Sequence, residues 1–300
     1  MMIALEFTDI SLNIGGIRIL NKISFTVERG RIFGLVGHNG AGKTSLLRIL
    51  LGLVKGYSGR IKILSDDDLD EKRKCIGEVM DSLNVDKSLT AAGYLHNVGY
   101  MLGMSDRKKQ AEILEKVGLS DTGKKKIAHF SLGMKRRLLI AGALVGEPDI
   151  LVLDEPFNGI DPKGMSEMRL MLGTLSAEGI TVLVTSHNIP ELIKLASVFG
   201  VMHKGDFICS LSDAELAAMD VKKTILKTDD PNTLTAAMAK AFPKLSCGAG
   251  SNGEVSVFGE LSDAQRSELC GKISGGLIKD ILTASMSGEE ILLWKMDGNA

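Results

Sequence analysis

The chain has 300 residues, of which 44% are hydrophobic and 24% charged, with a net charge of -1. This is enough for one large domain plus a small one with a buried core, and the balanced charge leaves no basic footprint, so no nucleic acid is expected as a partner. Cys75, Cys209, Cys247 and Cys270 are scattered without C-x-x-C spacing, which argues against a zinc or disulfide framework and fits a reducing cytoplasm; no run approaches the roughly 18 apolar residues of a membrane span, and the N-terminus is too quickly polar for a secretion signal.

Residues 3 to 28 alternate apolar and polar positions (Leu5, Phe7, Ile10, Leu12, then Ile19, Ile23, Phe25, Val27) around Gly15-Gly16, which predicts an antiparallel hairpin. Arg31 to Val36 reads as a short buried strand and Ser45 to Leu51 as a helix. Between them Gly37-His38-Asn39-Gly40-Ala41-Gly42-Lys43-Thr44 fits G-x-x-x-x-G-K-[ST], the phosphate-cradling loop, in the strand-to-helix context that this motif requires. Glycines free the backbone to wrap a phosphate chain, and the helix N-terminus favours the same anion. Lys43 is placed for the β- and γ-phosphates and the Thr44 hydroxyl for Mg²⁺, so ATP with Mg²⁺ is the expected ligand, with Ser45 also in the binding loop.

Arg60 to Leu64 predicts a further strand and residues 66 to 74 a solvated charged segment. From about 83 to 129 the pattern turns helical (Thr90 to Met101, Asp106 to Val117), an apparent insertion whose Met101 and Met104 are expected to be plain core. Lys124-Lys125-Lys126 reads as a solvated loop. Residues 131 to 145 predict a helix, Ile150 to Leu153 a central parallel strand, 163 to 177 a helix, Thr181 to Thr185 a strand and His187 to Ser197 a helix. Two short strands flank Lys204-Gly205, and the main domain is expected to end near residue 215. Residues 220 to 300 alternate strand and helix and predict a small α+β domain without a visible catalytic constellation, with a polar loop over 248 to 253.

Asp154 ends the apolar run, where it can hold Mg²⁺ opposite Thr44, and Glu155 follows, placed to polarise a water that attacks the γ-phosphate. Twenty-three residues earlier lies Ser131-Leu-Gly-Met-Lys135. On these motifs and their order, completed by Gly159-Ile-Asp161 and His187, the chain resembles the ATP-binding-cassette family over about residues 3 to 215. The resemblance implies a P-loop ATPase of α/β class, a mixed sheet core with an antiparallel β subdomain and a helical insertion at about 83–145. It further implies a head-to-tail homodimer with two ATP at the interface, in which Ser131 and Gly133 of one subunit meet the γ-phosphate held by Lys43 of the other. Asp161 corresponds to the segment that touches the opposite subunit, and His187 to the histidine that contacts the γ-phosphate. Phe130 to Leu138 is also similar to bacitracin and lantibiotic exporters.

Two positions depart from the family pattern. Ile14 stands where an aromatic residue usually stacks on adenine, and in the loop expected to join the core to the helical insertion, Ile76-Gly-Glu-Val-Met-Asp81, Asp81 stands where most members carry Gln, although a carboxylate there still suits Mg²⁺ or the attacking water. The function implied is an ATPase subunit of an exporter, cytoplasmic and peripheral on the inner face of the membrane, driving a separate multispanning permease. The alternative is a soluble ATPase of the same family acting on ribosomes or nucleic acid.

Overall fold

In the computed structural model the described residues are 2–80, 85–242, 245, 247–249, 253–259, 261–273 and 277–298. They form two compact units, divided after Asp213. The first opens with strands β1 (Ile3–Ile14) and β2 (Ile17–Glu28), which pair antiparallel around the Gly15-Gly16 turn. Next come β3 (Ile32–Val36), helix α1 (Lys43–Leu50), β4 (Ser58–Ile63), a one-turn α2 (Leu69–Lys72) and β5 (Ile76–Val79). The helical insertion contributes α3 (Ala91–Met101) and α4 (Arg107–Lys116), each started by a side-chain cap, Thr90 and Asp106 respectively. Then follow α5 (Leu132–Leu144), β6 (Ile150–Asp154), α6 (Pro162–Ala177), β7 (Thr181–Ser186), α7 (Ile189–Ile193), β8 (Val198–His203) and β9 (Asp206–Ser212).

Two sheets result. One is antiparallel, in the order β2-β1-β4. The other is six-stranded, β5-β6-β7-β3-β8-β9, parallel except for β9. Every residue of β3, β6 and β7 is buried, which explains why these segments read as unbroken apolar runs: helices cover a parallel sheet on both faces. The antiparallel sheet packs on the mixed one through stacked rings, Phe25 lying 4.5 Å from Phe7, 5.2 Å from Phe33 and 4.8 Å from Phe207. The mixed core, the antiparallel subdomain and the helical insertion are those that the resemblance implies.

Three local expectations change. Residues 76–79 were expected to belong to a connecting loop; they form the edge strand β5, parallel to β6, with Gly77 so close to α5 that a Cβ would lie 2.8 Å from the Ala143 carbonyl oxygen. The helix expected over 187–197 is only α7, because the chain beyond it turns back into the sheet and the Ser197 amide donates to the Ile32 carbonyl at 3.0 Å. Met101 and Met104 are not core: they are 76% and 43% exposed, beside Tyr100 at 76% and Leu102 at 54%.

Helix α8 (Asp213–Ala218) spans the division. The second unit contains β10 (Lys222–Lys227), α9 (Pro231–Ala241), β11 (Cys247–Ala249), β12 (Glu254–Phe258), α10 (Asp263–Lys272), β13 (Asp280–Ser285) and α11 (Gly288–Met296). Its antiparallel sheet runs β11-β12-β10-β13, the split βαββαβ arrangement. Leu234 and Met238 of α9 and Leu269 of α10 share one buried cluster with Leu226, Val255 and Val257. The short strand β11 takes up part of the expected 248–253 loop, since its three residues gain a partner in β12 that local pattern does not reveal.

Candidate nucleotide-binding and catalytic site

The carboxyl ends of β3, β6 and β7 lie side by side, and each delivers one part of a site. From β3 comes the phosphate loop, which runs straight into α1 with Gly42 as the cap position at φ +100°. A Cβ on Gly42 would stand 2.6 Å from Leu20 Cδ2, and one on Gly37 would stand 2.7 Å from the Met202 carbonyl oxygen. These two glycines are therefore required by the wall behind the loop, whereas a Cβ at Gly40 would meet nothing within 4 Å. Gly42→Ala is expected to cost about 1–3 kcal/mol of stability through the strained backbone and the contact with Leu20. A thermal unfolding midpoint equal to that of the parent would refute this.

Lys43 is buried, and its Nζ donates to the carbonyl oxygens of Gly37 at 2.5 Å and His38 at 3.4 Å, folding the side chain back over the loop. Burial pushes its ammonium below the ordinary lysine range, against the pull of Glu155 and Asp154. Glu155 Oε1 stands 3.9 Å away. A cation held in a partly dry loop beside open space is a poised anion receptor.

From β6 come Asp154 and Glu155. The Thr44 hydroxyl donates to Asp154 at 2.9 Å, and Thr185 Oγ1 donates to Asp154 Oδ1 at 2.6 Å. Thr185 also accepts the Glu155 amide, at 3.1 Å, so one hydroxyl uses donor and acceptor capacity to aim both acids. Glu155 is held at φ +51°, an unfavourable backbone conformation for a residue with a Cβ, kept in place by these bonds and by a second one to the Thr185 carbonyl at 3.2 Å. From β7 comes His187, half exposed, whose Nδ1 lies 2.8 Å and whose amide lies 3.3 Å from Glu155 Oε2.

These elements enclose a cleft of about 440 Å³. Its lining includes His38, Asn39, Gly40, Ala41, Gly42, Lys43, Thr44, Ser45, Glu155 and His187. It also includes Ile19 and Asn158, which sequence reasoning did not single out. Asn158 follows Glu155 by three residues and its amide donates to the Glu155 carbonyl at 3.2 Å, so it belongs to the same turn. Thr185 was missed as an orienting group, although a hydroxyl directly after the apolar run Val182 to Val184 was a visible signal.

Other residues stand apart. Ile14 ends β1 at 54% exposure and is absent from the lining, where Ile19 stands instead. Asp81 lies outside the described residues. Ser131 is the exposed cap of α5, its Oγ accepting from the Met134 amide at 3.2 Å; Gly133, the second residue of that helix, would place a Cβ 3.3 Å from Ile160. Asp161 is exposed at the start of α6 with no side-chain cap bond. None of Ser131, Gly133 or Asp161 lines the cleft that contains Lys43.

A divalent cation fits the donors. Thr44 and Asp154 offer hard oxygens side by side, and among the described residues no group of three or more His, Cys, Asp or Glu converges to cage a metal. One hydroxyl and one carboxylate suit Mg²⁺, which keeps waters and shares phosphate oxygens.

The geometry agrees with what the chain is similar to. The family model described as ABC transporter matches residues 20–158. The bacitracin transport ATP-binding protein BcrA of Bacillus licheniformis is 31% identical over 298 residues, covering 97% of this chain and 95% of that protein. The lantibiotic transport ATP-binding protein SrtF of Streptococcus pyogenes is 35% identical over 204 residues, 68% of this chain and 89% of that protein. Among solved structures, cbiO1 of Clostridium perfringens, part of the ABC transporter complex cbiONQ, superposes with a TM-score of 0.67 at 25% identity over 81% of this chain and 97% of its own. A phosphate loop with an aimed acid pair and an adjoining histidine, and a relative matched over nearly its whole length, lead to one conclusion: the chain belongs to the ATP-binding-cassette family, as an ABC transporter ATP-binding subunit that hydrolyses ATP.

Proposed function

We propose that this chain powers an exporter of the antimicrobial-peptide or drug-resistance type, by ATP-driven closure of a head-to-tail homodimer. The observation that carries the dimer is the separation within one chain: Lys43, Glu155 and His187 line the cleft, whereas the α5 N-terminus with Ser131 and Gly133 does not. A helix N-terminus is an anion site in waiting, and a second copy would bring it to the γ-phosphate. In this reading the phosphate loop and Lys43 bind the triphosphate, Ile19 packs beside it, and Glu155 takes a proton from the attacking water while His187 contacts the γ-phosphate. Mg²⁺, held by Thr44 and Asp154, would neutralise charge on the phosphate oxygens.

The antimicrobial-peptide and resistance reading is supported by the names of BcrA and SrtF, which give bacitracin and lantibiotic transport, and by that of the linearmycin resistance ATP-binding protein LnrL of Bacillus subtilis, 35% identical over 74% of each chain. None of those names points to ribosomes or DNA. Among the described residues no helix is long and apolar enough to cross a membrane, so in this proposal the membrane pathway belongs to a separate permease and the chain sits on the cytoplasmic face. The apolar surface of Tyr100, Met101, Leu102 and Met104 in the helical insertion supports such a partner. It adjoins a groove of about 400 Å³ lined by residues that include Ile76, Met80, Tyr94, Leu102 and Leu139.

Met101→Asp tests this. It is expected to leave ATP turnover of the isolated chain within about twofold while weakening co-purification with the multispanning protein of the neighbouring reading frame by about tenfold or more, the worth of one large apolar side chain. Unchanged association would sink the docking role, and absence of any such membrane protein would count against transport.

A further inference from the structure

His187 stands at the joint between β7 and α7, so its position depends on how α7 is fastened. A helix of five residues has too few internal bonds to place itself. Asn188 supplies one fastening: its Oδ1 accepts the Glu191 amide at 3.4 Å and its own amide donates to Ser186 Oγ at 2.9 Å. The other is an ion pair with the core. Glu191 faces the guanidinium of Arg169 on α6, with side chains only 13% and 21% exposed. Glu191 Oε2 is buried, and apart from this guanidinium it has no polar partner among the described residues; Oε1 takes the exposed Lys194 at 3.0 Å.

We infer that Arg169 and Glu191 are a positioning pair for hydrolysis: by clamping α7 to α6 they hold His187 where its amide and Nδ1 both reach Glu155. The physical basis is asymmetry. Removing Arg169 leaves the buried oxygen of Glu191 without a partner and only the exposed Lys194 at its other oxygen, so the carboxylate must move toward water and carry α7 with it. The joint at His187 is two residues from the start of that helix, and a displacement of about 1 Å in a reacting group can cost roughly 10²-fold in rate. Lys194 cannot substitute, because its side chain is 56% exposed and bonds the other oxygen. The same α6 begins directly after Asp161, so the clamp also registers the His187 joint against that segment. The inference rests on the reading of His187 as a γ-phosphate contact.

The test is steady-state ATP turnover of the purified full chain across ATP concentrations, for Arg169→Met, Arg169→Lys, Glu191→Gln, Lys194→Ala and His187→Ala, with folded fraction followed by circular dichroism. Arg169→Met and Glu191→Gln are expected to lower kcat about tenfold or more with KM within about threefold, Arg169→Lys to regain most of the loss, and Lys194→Ala to stay within about twofold. If Arg169→Met does not fold, Glu191→Gln, which keeps the shape and removes the buried charge, decides. A folded variant of either kind with kcat within twofold of the parent, or with KM rising in step with the fall in kcat, overturns the inference. Should His187→Ala slow turnover while the pair variants do not, only the clamp is wrong; should His187→Ala itself turn over normally, the underlying reading of His187 fails as well.

Discussion

Glu155→Gln is expected to lower ATP turnover by about 10²- to 10⁴-fold, the usual worth of a positioned general base, while ATP still binds. The shape of the side chain is retained, so the amide bonds that hold its backbone at φ +51° stay in place, and its side-chain oxygen can still meet His187. What disappears is the charge that can accept a proton. That charge now stands 3.9 Å from Lys43 Nζ and at one wall of the cleft, where water and a γ-phosphate would meet. Phosphate release measured alongside equilibrium ATP binding separates the two effects. Turnover within a few-fold of the parent would remove Glu155 from the chemistry, and a loss of binding equal to the loss of rate would make it a binding residue.

Mixing two inactive variants is expected to restore activity. Lys43→Ala removes the cation from the phosphate loop, and Ser131→Asp puts a carboxylate where the proposed second subunit meets the γ-phosphate. Asp is as good a helix cap as Ser, so α5 should form normally and the defect should lie in charge alone. With a site shared between subunits as proposed, each variant by itself would have no complete site. In a one-to-one mixture about half of the dimers pair unlike chains, and each of those holds one intact site of two, so about a quarter of parental turnover should return under two-fold symmetric association. Mixing without recovery, with both chains folded and binding each other, would rule out a site shared between subunits. Full activity of Ser131→Asp alone would remove Ser131 from any such site.

Much of the molecule was legible before its coordinates, because the decisive patterns are local. Gly37 to Thr44, the apolar run ending in Asp154, and the hairpin around Gly15-Gly16 are each read within a dozen residues. What stayed hidden depends on partners distant in the chain. Residues 76–79 look like a connector until β6 supplies hydrogen bonds along their length. Met101 and Met104 sit at helical spacing, which says nothing about how far neighbours cover them, and they stand 76% and 43% exposed. Ile14 stands where the family resemblance implies a contact with the base, while the cleft lining includes Ile19, a position that the resemblance did not mark. The aim of Asp154 and Glu155 comes from Thr185, 31 residues beyond Asp154.

The sequence by itself determined the chemistry on offer: an anion-binding loop, a lysine, two adjacent acids and a histidine, with an appended α+β domain. It could do so because glycine freedom, charge and hydrophobic period are properties of short segments. The tertiary structure decided which of these meet. Parallel pairing of β3 with β7, and of β7 with β6, brings Lys43, Asp154, Glu155 and His187 to one edge of the sheet, while Ser131 and Gly133 are left outside the cleft. The physical reason is that convergence at strand ends is set by strand order and register, which arise from burying apolar faces across the whole unit and not from the residues that carry the charge.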